Sequence, residues 1–299
     1  KPWSVATTAG CSMPSFAAWS DNRPVHLVVT LVAVVAAVLA TTAVCNRFDV
    51  SPPLALIVVG VIGSYLTFIP EIELRPEVVL LGLLPPLLYS AALQSSLVDF
   101  NANRRSILLL SVGLVAFTTA GVAVLVHGLL PGVGWGVAFA IGAVVSPPDA
   151  IAATAIGRRI GLPRRVVTIL EGESLFNDAT ALVALNTALA ATTAWYIVAR
   201  DFALAAGGGV LVGLVFVVGI GFVRKHVTDP VFDSGLSFLT PFAAYITAEE
   251  INASGVISVV VAGLLLGHKA PIIQTAQARI GERMNWRSIA FLLEGAVFL

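Results

Sequence analysis

The strongest constraint on this chain is a succession of apolar stretches, each near the length that crosses a lipid bilayer. A helix needs about 20 mostly apolar residues to span the hydrocarbon core. Ten such stretches are expected, at roughly 26–45, 52–69, 78–93, 105–130, 135–156, 166–194, 202–223, 232–248, 254–267 and 284–299. Runs such as Leu27–Ala40 do not alternate apolar and polar residues, as barrel strands must, so helices are predicted. Of the 299 residues, 58% are hydrophobic and 11% are charged. A soluble domain carries about 25% charged residues, so this chain cannot cover itself with a water-facing surface. The fold class expected is an all-α polytopic membrane protein. With zero net charge, nucleic acid finds no electrostatic hold and is not expected as a partner. Cys11 and Cys45 form no CxxC pair and indicate neither a disulfide framework nor a metal site. The chain starts at Lys1 without a methionine, so the true N-terminus is expected upstream. Residues 1–25 are too polar for a clear signal peptide and are read as an extracytoplasmic segment.

Basic residues set the orientation. The loops after helices 1, 3, 5, 7 and 9 hold 12 of them, including Arg104, Arg105, Arg158, Arg159, Arg164, Arg165, Arg224 and Lys225. The loops after helices 2, 4, 6 and 8 hold 2, Arg75 and Arg200. The odd loops are therefore expected in the cytoplasm and the N-terminus outside, with the plasma membrane as the location. The longest loop, near 268–283, reads as an amphipathic interfacial helix. Gly209 and Gly213 give helix 7 the small-residue spacing that permits close helix packing.

Ionisable residues inside a bilayer are costly and need a reason. Helix 5 reads AIGAVVSPPDAIAATAI. Pro147 and Pro148 cannot donate backbone hydrogen bonds, and each clashes with the preceding turn. Preceded by Ser146, they are expected to open the helix, with Asp149 at the break. Opened backbone at membrane depth is tolerated only inside protein or beside a water-filled cavity, and it offers carbonyls to a cation. The plainer alternative is a kink with Asp149 capping the resumed helix.

Helix 6 reads ILEGESLFNDATALVAL. Ser174 and Asp178 are four apart, as are Glu173 and Asn177, so a helix stacks them into one polar stripe. Asp178 lies 13 residues past Arg165, about 20 Å along the axis at 1.5 Å per residue. The plainer alternative is a carboxylate that joins helices by hydrogen bonding. Four polar residues within six positions exceed that need. A carboxylate held away from water must be neutralised, by a proton or by a cation. The two ligands compete for one site. If only loaded forms reorient, the result is one-for-one antiport.

These stretches resemble the sodium/proton exchanger family of the cation:proton antiporter superfamily. EGESLFND follows SPPDA by about 30 residues, and LLPPLLYSAAL lies two helices earlier. The resemblance covers roughly 26–299. It implies an antiporter fold with inverted repeats and a broken helix. It also implies that Asp178 binds proton and sodium, that Asn177 is its partner in an Asn-Asp pair of the electroneutral type, and that Ser174 supplies a hydroxyl ligand. Asp149 and the Pro148 carbonyl are then the broken helix's contribution, so that Asp178, Ser174 and Asp149 hold the transported ion. Glu173 pairs with an Arg on a later helix. Where relatives often carry Glu after LPPLLY, this chain has Ser90. The family has about 12–13 helices, and the later Arg and second broken helix lie outside this sequence. The implied organisation is scaffold and dimerisation helices at 26–93 and 232–299, core transport helices at 105–194, and a linker helix at 202–223. The implied partners are alkali cations, protons, the lipid bilayer and a second copy in a homodimer. A cation channel and an intramembrane aspartyl protease are the competing readings. Pro-Pro-Asp and Phe-Asn-Asp do not fit the protease motifs. No Walker loop, dinucleotide glycine pattern or HExxH motif is present, so no enzyme activity and no cofactor are expected.

Overall fold

The structure is a computed structural model that describes residues 23–48, 50–65, 78–148, 160–189 and 195–299. Among these residues it is helical, with no strand. Ten helices appear: α1 Arg23–Phe48, α2 Pro52–Ser64, α3 Val78–Gln94, α4 Leu97–Leu129, α5 Trp135–Val145, α6 Arg164–Leu189, α7 Trp195–His226, α8 Pro230–Glu250, α9 Gly255–Ile273 and α10 Ala276–Phe298. Each falls on one expected span.

Two differences from the expected boundaries matter. The loop expected near 268–283 is a break of two residues, Gln274 and Thr275, because α9 and α10 extend into it from both sides. Gln274 caps α9, its N–H bonding to the Ala270 carbonyl. Arg224, counted above as a loop residue, lies in the last turn of α7 and is buried. Both errors have one cause: hydropathy ends a span where the first charge appears, whereas the backbone continues while charges find partners.

Among the described residues, four helical segments are long and apolar enough to cross a membrane: Val29–Phe48, Leu97–Leu129, Arg200–His226 and Gly255–Ile273. Large apolar side chains such as Phe117, Val215, Val218 and Phe222 stand more than two-thirds exposed. Exposed apolar surface on this scale needs a lipid solvent. The helix starts are conventional. Ser96 accepts from the Asp99 N–H at the start of α4, Asp229 from Val231 at α8, and Ser254 from Ile257 at α9. Two wide π turns interrupt the regular winding, Val78–Leu83 in α3 and Leu109–Leu114 in α4.

The chain forms two compact units. In one, α1 packs on α2, and Val38 is buried beside Gly295. The other, residues 70–294, holds the polar features of interest. Its core is built on α9, which contacts α3, α7 and α8, with Tyr89, Ala92, Val259, Val260 and Leu266 fully buried. The α7–α9 approach depends on small residues. A Cβ on Gly213 would stand 2.8 Å from the Ser258 carbonyl oxygen, and one on Gly209 2.6 Å from that of Ser254. The close packing expected of these two glycines is therefore present, and α9 is what they pack against. A second group of contacts joins α4, α5 and α6.

Candidate functional site

The polar stripe expected on helix 6 lies on α6 and divides in two. Glu173, Asn177 and Thr180 are buried in the helix bundle, while Ser174 and Asp178 lie half-buried on the flank. Thr180 is absorbed locally, its hydroxyl donating to the Phe176 carbonyl at 2.8 Å. Glu173 is 7% exposed, and among the described residues no arginine pairs with it. Asn177 is 0% exposed and reaches across to α5.

There α5 ends at Val145, directly before the two prolines. Ser146 is buried and satisfies its own hydroxyl by donating to the Ala143 carbonyl at 3.0 Å. Pro147 is partly buried and Pro148 exposed. Asn177 Nδ2 donates to the Pro148 carbonyl at 3.3 Å. That carbonyl follows a residue that cannot continue the helix, so its partner comes from another element. Asn177 Oδ1 is buried with no hydrogen-bond partner among the described residues. An unsatisfied buried acceptor costs about 1–3 kcal/mol, which marks a place where a donor or a cation is needed. Asp149 lies outside the described residues.

Ser90 on α3 is 1% exposed, and its hydroxyl donates to the Leu87 carbonyl at 2.8 Å. It is thus engaged within its own helix, although α3 and α6 touch.

Close packing holds this arrangement. A Cβ on Gly172 would stand 2.7 Å from Ile107 Cδ1, and one on Gly142 2.4 Å from the Thr119 carbonyl oxygen. These contacts fix α6 and α5 against α4. Two further polar groups come from α4. Ser111, in the π turn, and Thr119 are buried, and their hydroxyls lack partners among the described residues. Sequence reasoning missed both; their one signal was a hydroxyl inside an otherwise apolar run. At the start of α6, Asp99, Asn103, Arg164, Arg165, Thr168 and Glu171 line a groove of about 750 Å³. Arg165 Nε donates to Asn103 Oδ1 at 3.1 Å across it. Glu171 and Asp178 are seven residues apart and share a helix face with Ser174 between them.

Residues 33–299 match the profile of the transmembrane sodium/hydrogen exchanger family. The chain belongs to that family. It is a family of exchangers rather than enzymes, and the chain is an integral membrane protein. A Na(+)/H(+) exchanger of Mycobacterium tuberculosis is 35% identical over 277 residues, covering 91% of this chain and 50% of that one. A sodium, potassium, lithium and rubidium/H(+) antiporter of Bacillus pumilus is 33% identical over 282 residues, covering 90% of this chain and 42% of its own. The chain thus spans about half the length of the curated relatives it matches. The fold is that of the sodium proton antiporter MjNhaP1 from Methanocaldococcus jannaschii, with TM-score 0.72 over 91% of this chain and 69% of that one at 16% identity.

Two further polar residues have structural roles. Glu249 Oε1 accepts from the Gly255 N–H at 3.0 Å and holds the turn between α8 and α9. His127 stacks on Trp135 with centroids 4.1 Å apart, its Nδ1 2.8 Å from the Val133 carbonyl oxygen.

Proposed function

We propose that this chain carries the cation and proton site of a monovalent cation/proton antiporter, with sodium as the ion and Asp178 as the shared carboxylate. The observation that carries this reading is the bond between Asn177 and the Pro148 carbonyl. It joins the helix bearing Asp178 to the end of the interrupted one. A proton or a cation on Asp178 removes the charge that low-dielectric surroundings resist. Ser174, one turn earlier, offers a hydroxyl, and the opened backbone at Pro148 offers its carbonyl. Asp149 and Asn177 Oδ1, which has no partner among the described residues, complete a set of hard oxygen ligands, the kind an alkali ion prefers. Ser146 and Pro147 shape the opening. Glu173 and Ser90 support it from behind, Glu173 as the acid for an arginine on a later helix.

The groove lined by Thr168 and Glu171 is the approach from the side bearing Arg164 and Arg165, which the distribution of basic residues makes cytoplasmic. The N-terminus then lies outside, in the plasma membrane. Asn177 in place of a second carboxylate makes the exchange electroneutral. The group α4–α6 moves against a dimer-forming scaffold of α1–α3 and α8–α10, with α7 between them, giving alternating access.

The test is dye-monitored proton movement in proteoliposomes after pulses of sodium, lithium and potassium. Each pulse of a transported ion drives opposite proton movement, insensitive to membrane potential, and Asp178→Asn abolishes it. Coupling that survives Asp178→Asn overturns the site. Cation flux without proton movement favours a channel instead.

A further inference from the structure

A second buried polar cluster lies away from Asp178, where α7, α8 and α10 meet. The Arg224 side chain is wholly buried between Asp233 and Glu282, whose side chains are 4% and 3% exposed. Arg224 Nη2 donates to Glu282 Oε1 at 2.8 Å, and its Nε lies 3.5 Å from Asp233 Oδ1. Gln274 Nε2 bridges the two acids, donating to Asp233 Oδ2 at 2.7 Å and Glu282 Oε2 at 2.9 Å. Ser237 Oγ also donates to Glu282 Oε1, and Trp286 Nε1 donates to Ser237 Oγ at 2.8 Å. The rings of Tyr89 and Phe238 pack on Trp286, with centroids 5.0 and 5.5 Å away, and close the cluster off.

The charges do not balance. The titratable groups that face one another here are Tyr89 from α3, Arg224 from α7, Asp233 from α8 and Glu282 from α10. Among the described residues, two carboxylates against one guanidinium leave one net negative charge among buried side chains. An uncompensated buried charge is strongly disfavoured. The hydrogen bonds are equally incomplete. Gln274 Oε1, Tyr89 Oη and Arg224 Nη1 are buried without partners among the described residues. The acceptor Gln274 Oε1 therefore lacks a donor beside an acid that lacks a proton.

We propose that Asp233 and Glu282 hold one proton between them, carried on Asp233, so that this cluster is a second proton-binding site. Glu282 accepts from Arg224, Ser237 and Gln274. Asp233 has weaker support, from Gln274 and the more distant guanidinium. The proton comes from water and returns to it, with no other bond changed. Its release sets two negative side chains against each other across α8 and α10. The inference does not rest on the exchange reading.

The test is infrared difference spectroscopy of the full chain in lipid, in an Asp178→Asn background, as pH is raised. A protonated carboxyl band is expected at neutral pH, lost at alkaline pH and missing once Asp233→Asn or Glu282→Gln is added. The native state then binds one proton more than the unfolded chain, so its melting temperature falls as pH rises through the release. In Asp233→Asn that slope flattens. A band that persists in both variants, or that never appears, overturns the proposal. So does failure of both variants to fold, because the cluster would then need both negative charges.

Discussion

The two buried polar regions use the same side-chain chemistry to opposite ends. Around Asn177, the cross-helix bond goes to a backbone carbonyl. Around Arg224, a guanidinium, an amide and a hydroxyl converge on two carboxylates, and an indole donates to the hydroxyl. Both regions leave an acceptor without a partner among the described residues, Asn177 Oδ1 in the first and Gln274 Oε1 in the second. The second ties its helices together. The first is held by one bond across helices, whereas the second is a clasp of several.

Removing a partner from the clasp should therefore cost most. Arg224→Met leaves two buried carboxylates without a cation, a change worth about 3–5 kcal/mol, and chemical denaturation should show most of the stability lost. Overpacking comes next. Gly142→Ala forces a methyl toward the Thr119 carbonyl oxygen 2.4 Å away, and about 1–3 kcal/mol should be lost with α5 displaced from α4. Asn177→Ala removes one cross-helix bond of about 1 kcal/mol. Its melting temperature should fall little while coupled proton movement falls far, and the reverse result would make Asn177 a structural residue. Ser146→Ala removes a bond within its own turn. It should change stability by about 1 kcal/mol or less and lower cation-driven proton movement less than Asn177→Ala does.

The difference between the two regions also explains what the sequence made legible. The stripe Glu173–Asp178 and the break at Pro147–Pro148 each depend on spacing along one helix, which a single sequence displays. All ten helices were legible for the same reason, since a span is a local property. The clasp depends on Arg224 meeting Glu282, 58 residues away. In sequence, Arg224 sits beside Lys225 and His226, and it reads as one more loop charge. Nothing in the periodicity marks Asp233 or Glu282 as its partners. The orphaned hydroxyls of Ser111 and Thr119 escaped for a related reason: a single hydroxyl in an apolar run can bond back to its own turn, as Thr180 does, and only packing decides otherwise.

The wide turns at Val78–Leu83 and Leu109–Leu114 have a mechanical consequence. The second places a spare residue in a rod that winds regularly on both sides of it. A rod with slack of this kind can rotate one half against the other by passing the slack along, its carbonyls changing partners one at a time. The upper part of α4, packed on α5, and the lower part, packed on α6, are therefore joined by a swivel rather than a rigid shaft.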